Sequence, residues 1–322
     1  MSHIFSSYRA PAWLPGANIQ TIYPALFAPK TLPAYQRERW ETPDADFVDL
    51  DFVFPEKPAK GLLVLFHGLE GSSASQYAVS AMRAATSADW IGCVPHFRGC
   101  SGEINRAPRA YHSGDSDEIA WILERLAGLY PDLPRYACGI SLGGNALLKW
   151  AGLAGDSASQ MVDAVAGVSA PQDLQAGAAA LAKGFPRVYA RAFFKTMREK
   201  SLQKLAQYPG LFNRETMLRS RDFFAYDDAV TAPIHGFNSC FDYWGRSSCK
   251  RYLGDIKIPA LVFNARNDPF LPERHLARPD QVSHSVQLAY PATGGHVGFI
   301  SGPMPGRIGW SGEQLVRWFQ HG

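Results

Sequence analysis

The feature that most restricts how this chain can fold is a rhythm in its apolar residues. Short β-branched runs, apolar at nearly every position, alternate with longer segments of helical periodicity. A strand that is apolar on both faces needs cover on both, which is the situation of a parallel sheet flanked by helices. The runs fall at residues 47–54, 62–66, 90–95, 136–140, 164–168, 260–264 and 286–289, and the helical segments at 76–87, 115–129, 142–153 and 312–320. The first two runs are placed to form an antiparallel hairpin, whereas the others need crossovers. The expectation is an α/β protein with a doubly wound, mostly parallel sheet.

One connection departs from this rhythm. Residues 172–255 separate two strand runs by far more than the roughly 10–12 residues a crossover requires, and they are rich in aromatics. This predicts a core of residues 1–171 and 256–322, carrying an N-terminal arm at 1–39, with an inserted, mostly helical cap at 172–255. Within the cap Lys183, Arg187, Arg191 and Lys195 recur every fourth residue, so they share one helix face, opposite Phe185, Val188, Tyr189, Phe193 and Met197. Two readings stay open: a solvated face on a helix that covers a core, or a surface for an anionic partner or weak lipid and membrane contact.

Composition narrows the function. With 46% apolar and 19% charged residues the chain is too apolar for disorder, and a net charge of +3 makes no electrostatic case for a nucleic-acid partner. Cys93, Cys100, Cys138, Cys240 and Cys249 are odd in number and include no C-x-x-C pair, which argues against a disulfide framework or zinc cluster. No run approaches the roughly 18 apolar residues that span a bilayer, and the first residues lack the pattern of a signal peptide. The expectation is a soluble, cytoplasmic protein. Dinucleotide, P-loop and H-E-x-x-H motifs are absent, so no cofactor and no metal is expected.

The chemistry gathers around Gly139-Ile140-Ser141-Leu142-Gly143-Gly144, a G-x-S-x-G pattern between a strand run and a helical segment. A strand–serine–helix turn brings backbones into close approach and so demands small residues on either side of the serine. A serine nucleophile needs a base and an acid to orient it, in the chain order Ser, Asp or Glu, His for this architecture. Asp268, in Asn267-Asp268-Pro269-Phe270, and His296, in Gly294-Gly295-His296-Val297-Gly298-Phe299, both follow strand runs, on the side where sites of α/β sheets gather. Asp268 also reads as an Asx-turn residue before Pro269, Asp173 is a rival acid, and His284 precedes its strand and is disfavoured as the base. Two N–H donors for an oxyanion are expected from the backbones of Leu142 and Leu69, the latter in the loop Phe66-His67-Gly68-Leu69-Glu70-Gly71-Ser72. His67 is expected to orient that loop, not to carry protons.

With these motifs in hand, the chain resembles the α/β-hydrolases. Within them it is similar to the group of bacterial YheT-type hydrolases, mammalian ABHD-type proteins and yeast medium-chain alcohol acyltransferases. Asn18-Ile19-Gln20-Thr21 and Phe97-Arg98-Gly99-Cys100-Ser101-Gly102 carry the resemblance together with the motifs above, and Ile19 departs from the histidine common there. The resemblance implies a triad of Ser141, Asp268 and His296 acting on carboxylic esters. The expected activity is a serine carboxylesterase with a small-molecule, short- to medium-chain acyl ester as substrate. The alternatives are an acyltransferase to an alcohol and a non-catalytic binding protein on the same fold.

Overall fold

The computed structural model describes residues 5–27 and 31–321, so parts of the arm expected at 1–39 lie outside the described residues. The described strands are β1 (Gln36–Glu41), β2 (Phe47–Val53), β3 (Gly61–Phe66), β4 (Trp90–Pro95), β5 (Arg135–Ile140), β6 (Ala164–Val168), β7 (Ala260–Phe263) and β8 (Val286–Ala289). They form one eight-stranded sheet in the order β1-β2-β4-β3-β5-β6-β7-β8. From β4 to β8 all neighbours are parallel, and β2 runs antiparallel to both β1 and β4.

The central strands are apolar throughout because both faces are covered. On one side Leu62, Val64 and Phe66 of β3 pack with Ile119, Ile122 and Leu126 of α3 (Ser116–Leu129) and Leu147 and Trp150 of α4 (Leu142–Ala154). On the other, Leu63 and Leu65 pack with Ala78 and Met82 of α2 (Gln76–Ser87) and Leu315, Val316 and Phe319 of α9 (Trp310–His321). Each fully buried leucine contributes about 2 kcal/mol. The remaining labelled helices are α1 (Ala17–Phe27) before the sheet, and α5 (Leu174–Leu181), α6 (Arg187–Gln207), α7 (Arg214–Arg219) and α8 (Cys240–Ser247) between β6 and β7.

Three expectations need correction. The hairpin joins β1 to β2, not residues 47–54 to 62–66, since β3 lies between β4 and β5. The arm therefore ends earlier than residue 39, because 36–39 already belong to β1. On α6 the basic face of Lys183, Arg187, Arg191 and Lys195 is exposed and Tyr189, Phe193 and Met197 pack against a core, but Phe185 just before the helix and Val188 within it are both 49% exposed and cover none, and Lys204 further along is buried. Lys183 precedes the helix. The Lys204 ammonium donates to the carbonyls of Asn105 (2.6 Å) and Ala107 (2.9 Å), and burial pushes its pKa down to about 8.

Candidate active site

Ser141 is the single residue between β5 and α4, and its backbone sits at φ 53°, ψ −118°. A left-handed conformation at a non-glycine residue costs about 1–3 kcal/mol and persists only where its surroundings over-determine it. Here they do. A Cβ on Gly139 would run into the Gly143 carbonyl, and one on Gly143 into the carbonyls of Phe66 and His67. The glycines of the pattern thus let β3, β5 and the first turn of α4 meet, while the Ser141 N–H is held by the Val168 carbonyl at 2.8 Å. The serine stands at the positive end of α4.

The loops after β7 and β8 bring Asp268 and His296 to this turn. His296 Nε2 lies 2.9 Å from Ser141 Oγ, and His296 Nδ1 lies 2.8 Å from Asp268 Oδ2. The carboxylate can only accept, so Nδ1 carries the hydrogen and Nε2 is left to accept from the hydroxyl. Asp268 is at the same time the turn residue its sequence suggested: Oδ1 accepts the Phe270 N–H at 2.8 Å. The Phe270 ring stacks on the imidazole at 3.9 Å between centroids, fixing its plane. Asp173 is elsewhere, capping α5 through the Ala176 N–H (2.9 Å) and lying 3.4 Å from His275. His284 precedes β8.

A second Ser–Asp–His grouping is wired differently. Ser73 Oγ donates to Asp51 Oδ2 at 2.5 Å, and His96 Nε2 reaches the same oxygen at 2.9 Å. Burial raises the pKa of this carboxyl, yet hydrogen bonds from Arg37, His96 and Ser73 outweigh burial and hold it well below the usual range. No imidazole there can take the serine proton, so the grouping is structural.

Gly68 brings the loop after β3 against the serine, since a Cβ on it would lie 3.2 Å from the Ser141 Cβ. The amides flanking Leu69 are engaged: Gly68 N–H donates to Tyr77 Oη (3.0 Å) and Glu70 N–H to Tyr111 Oη (2.8 Å). Glu70 in turn accepts from Tyr111 Oη (2.7 Å) and from the α6 ammonium of Lys200 (2.9 Å). The Leu69 N–H lies between these clamps, and Leu142 opens α4, where N–H groups have no partner within the helix. Fully buried His67 places Nδ1 2.8 Å from the Gly68 carbonyl and accepts the Phe97 N–H on Nε2 at 3.0 Å. Burial lowers its pKa to about 3, so it stays neutral and pins the loop.

The alpha/beta hydrolase fold family matches residues 61–303 of this sequence. The chain belongs to this family. Among its relatives is the provisionally named esterase YheT of Escherichia coli (strain K12), 39% identical over 94% of this chain and 89% of that protein. Phospholipase ABHD3 of Mus musculus is 24% identical over 94% of this chain and 75% of its own. Among solved structures, Est1E from Butyrivibrio proteoclasticus with bound ferulic acid superposes with a TM-score of 0.56 at 12% identity, covering 88% of this chain and all of that one; this likeness shows the shared fold.

In this α/β-hydrolase the histidine loop is braced from the opposite end of the chain, a role the sequence did not reveal. Gln20 Oε1 on α1 accepts from the Gly294 N–H and from Asn267 Nδ2, both at 2.9 Å, and Thr21 Oγ1 accepts the His296 N–H at 2.9 Å. Asn267 Oδ1 takes the Gly295 N–H at 3.0 Å. The signal was present, since Asn18-Ile19-Gln20-Thr21 stood out as a motif, but no local rule ties it to His296. Ile19, the departure from the family pattern, is half exposed on α1. Replacing Gln20 by Ala together with Thr21 by Val is expected to lower kcat by about 10²-fold, the cost of roughly 1 Å of misplacement. KM should change little, because neither residue lines the pocket. Steady-state kinetics that show an unchanged kcat would remove the brace from consideration.

Above Ser141 opens a pocket lined mostly by apolar side chains, among them Leu69, Leu174, Leu181, Phe193, Phe223 and Phe270. Phe194 and Phe224 do not line it: the first is buried among Phe212 and Met217, the second packs on Trp244. Among the described residues no group of three or more His, Cys, Asp or Glu side chains is arranged to hold a metal ion, and no helix is long and apolar enough to cross a membrane.

Proposed function

We propose that this α/β-hydrolase is a serine carboxylesterase for short- to medium-chain acyl esters, with Ser141, His296 and Asp268 as its triad. The observation that carries this reading is the unbroken hydrogen-bonded line from Ser141 Oγ through the imidazole to Asp268, at the floor of an apolar pocket. As Ser141 Oγ attacks the ester carbonyl carbon, His296 Nε2 takes its proton and Asp268 stabilises the imidazolium. The carbonyl oxygen becomes an oxyanion, and in this reading the N–H groups of Leu69 and Leu142 receive it. The tetrahedral adduct collapses, the C–O bond to the alcohol breaks, and His296 returns the proton to the leaving alkoxide. Water then repeats the sequence on the acyl-enzyme, releasing the acid and restoring the serine. The names of the relatives, an esterase and a phospholipase, agree with ester chemistry. In this reading residues 172–255 form a cap inserted in the core, and its Leu174, Leu181, Phe193 and Phe223 hold the acyl chain.

The test is a series of p-nitrophenyl esters of increasing acyl length, run with rising ethanol. Nitrophenol release is expected to peak at short to medium chains, with free acid as the main product, because an acceptor alcohol needs its own site near His296 to compete with water. Ethyl ester dominating at low millimolar ethanol would reassign the protein as an acyltransferase. No turnover of any ester would leave the binding-protein alternative.

A further inference from the structure

The outer side of the α6–α7 pair holds a groove lined by Arg187, Arg191, Arg198, Arg219 and Arg221, with no acidic residue in its lining. Like charges gathered in one groove repel, and internal compensation here is slight. Arg219 meets Glu215 at 3.3 Å, but both side chains are highly exposed, a setting in which an ion pair contributes little. Arg198 donates to the Ser220 carbonyl, while its Nε is buried without a partner among the described residues. Of the other acids on these elements, Asp222 caps the turn at Ala225 (3.0 Å) and Glu199 is exposed. Among the described residues no carboxylate pairs with Arg187, Arg191, Arg198 or Arg221.

Two apolar side chains lie among the arginines: Phe194, and Leu218, which is 37% exposed. A free phosphate would use the arginines and leave the exposed Leu218 among them unexplained. A lipid surface uses both, guanidinium groups at the headgroups and apolar side chains at the acyl boundary.

We propose that the α6–α7 groove docks the protein on a phospholipid membrane surface by binding anionic phosphate headgroups, whatever the reaction at Ser141. The opposite face of α6 contributes Phe193, Met197 and Lys200 to the pocket, so docking would hold that pocket about one helix diameter, ~10 Å, from the lipid.

The test is sedimentation of the full chain with vesicles of phosphatidylcholine alone or of equal parts phosphatidylcholine and phosphatidylglycerol. Binding is expected to the mixed vesicles only, and to weaken with salt. At about fivefold per arginine, Arg191→Gln should weaken partitioning about fivefold, and the triple variant Arg187→Gln, Arg191→Gln, Arg219→Gln roughly 100-fold. The matching triple lysine variant should bind like wild type. Circular dichroism and turnover of a soluble ester should be unchanged in all three. Equal binding to both vesicle types, undiminished binding by the glutamine variants, or release of the protein by millimolar inorganic phosphate would each overturn the proposal.

Discussion

Replacing Ser141 with Ala is expected to lower kcat on p-nitrophenyl esters by roughly 10⁶-fold, the scale reached when the serine of a protease triad is removed. What remains would come from the pocket and the Leu69 and Leu142 amides alone. The fold should survive. The hydroxyl supports no core, alanine tolerates the left-handed turn as poorly as serine does, and one hydrogen bond to His296 is lost at a cost of about 1 kcal/mol. Initial rates and a thermal melt on the same preparation make the check. Turnover near wild type in a folded Ser141→Ala protein would refute the nucleophile assignment.

The second large effect separates two aspartates. Asp268→Asn keeps the shape of the side chain but lets its amide donate to Nδ1, which turns the imidazole to the tautomer that cannot accept from Ser141; the loss in kcat should be on the order of 10⁴. Asp173→Asn should have almost no effect, since asparagine caps a helix as well as aspartate does and the α5 cap is all that the contacts of Asp173 suggest beyond His275. The reverse ranking in kcat would move the acid to the loop after β6.

Most of the sheet was legible because its strands are buried on both faces, so burial writes itself into the sequence as continuous apolar runs. β1 was not legible for the opposite physical reason. Its sequence, Gln-Arg-Glu-Arg-Trp-Glu, buries only Trp40. The strand is fastened by ion pairs across the hairpin, Arg37 to Asp51 and Arg39 to Asp49 (2.7 Å each), between residues directly opposite in register. Edge strands carry such charge to discourage further pairing, and an apolar pattern cannot reveal them. α1 was hidden by Pro24 inside it, a residue that usually marks a helix end.

Ser141, Asp268 and His296, which the structure brings into one hydrogen-bonded line, could be picked out because each sits beside punctuation that such a grouping requires: glycines at the turn, and strand ends before the aspartate and the histidine. Gln20 and Thr21 could not, because what they do depends on tertiary contact with a loop far along the chain. The pocket was legible only as an aromatic-rich connection. Which rings face the serine depends on helix packing, and the structure admits Phe193 and Phe223 while burying Phe194 and turning Phe224 aside.

The brace from α1 also sets an order of assembly. Gln20 and Gly294 are 274 residues apart, and Thr21 and His296 are 275 apart. During synthesis the helix emerges first, and eleven residues interrupted by a proline hold little structure alone. Its docking site exists only after the last parallel strand has joined the sheet. A nascent chain can therefore complete the sharp turn at Ser141 long before any imidazole is held beside it. The line from Ser141 to Asp268 closes late, when an early helix and the loop after the last strand meet.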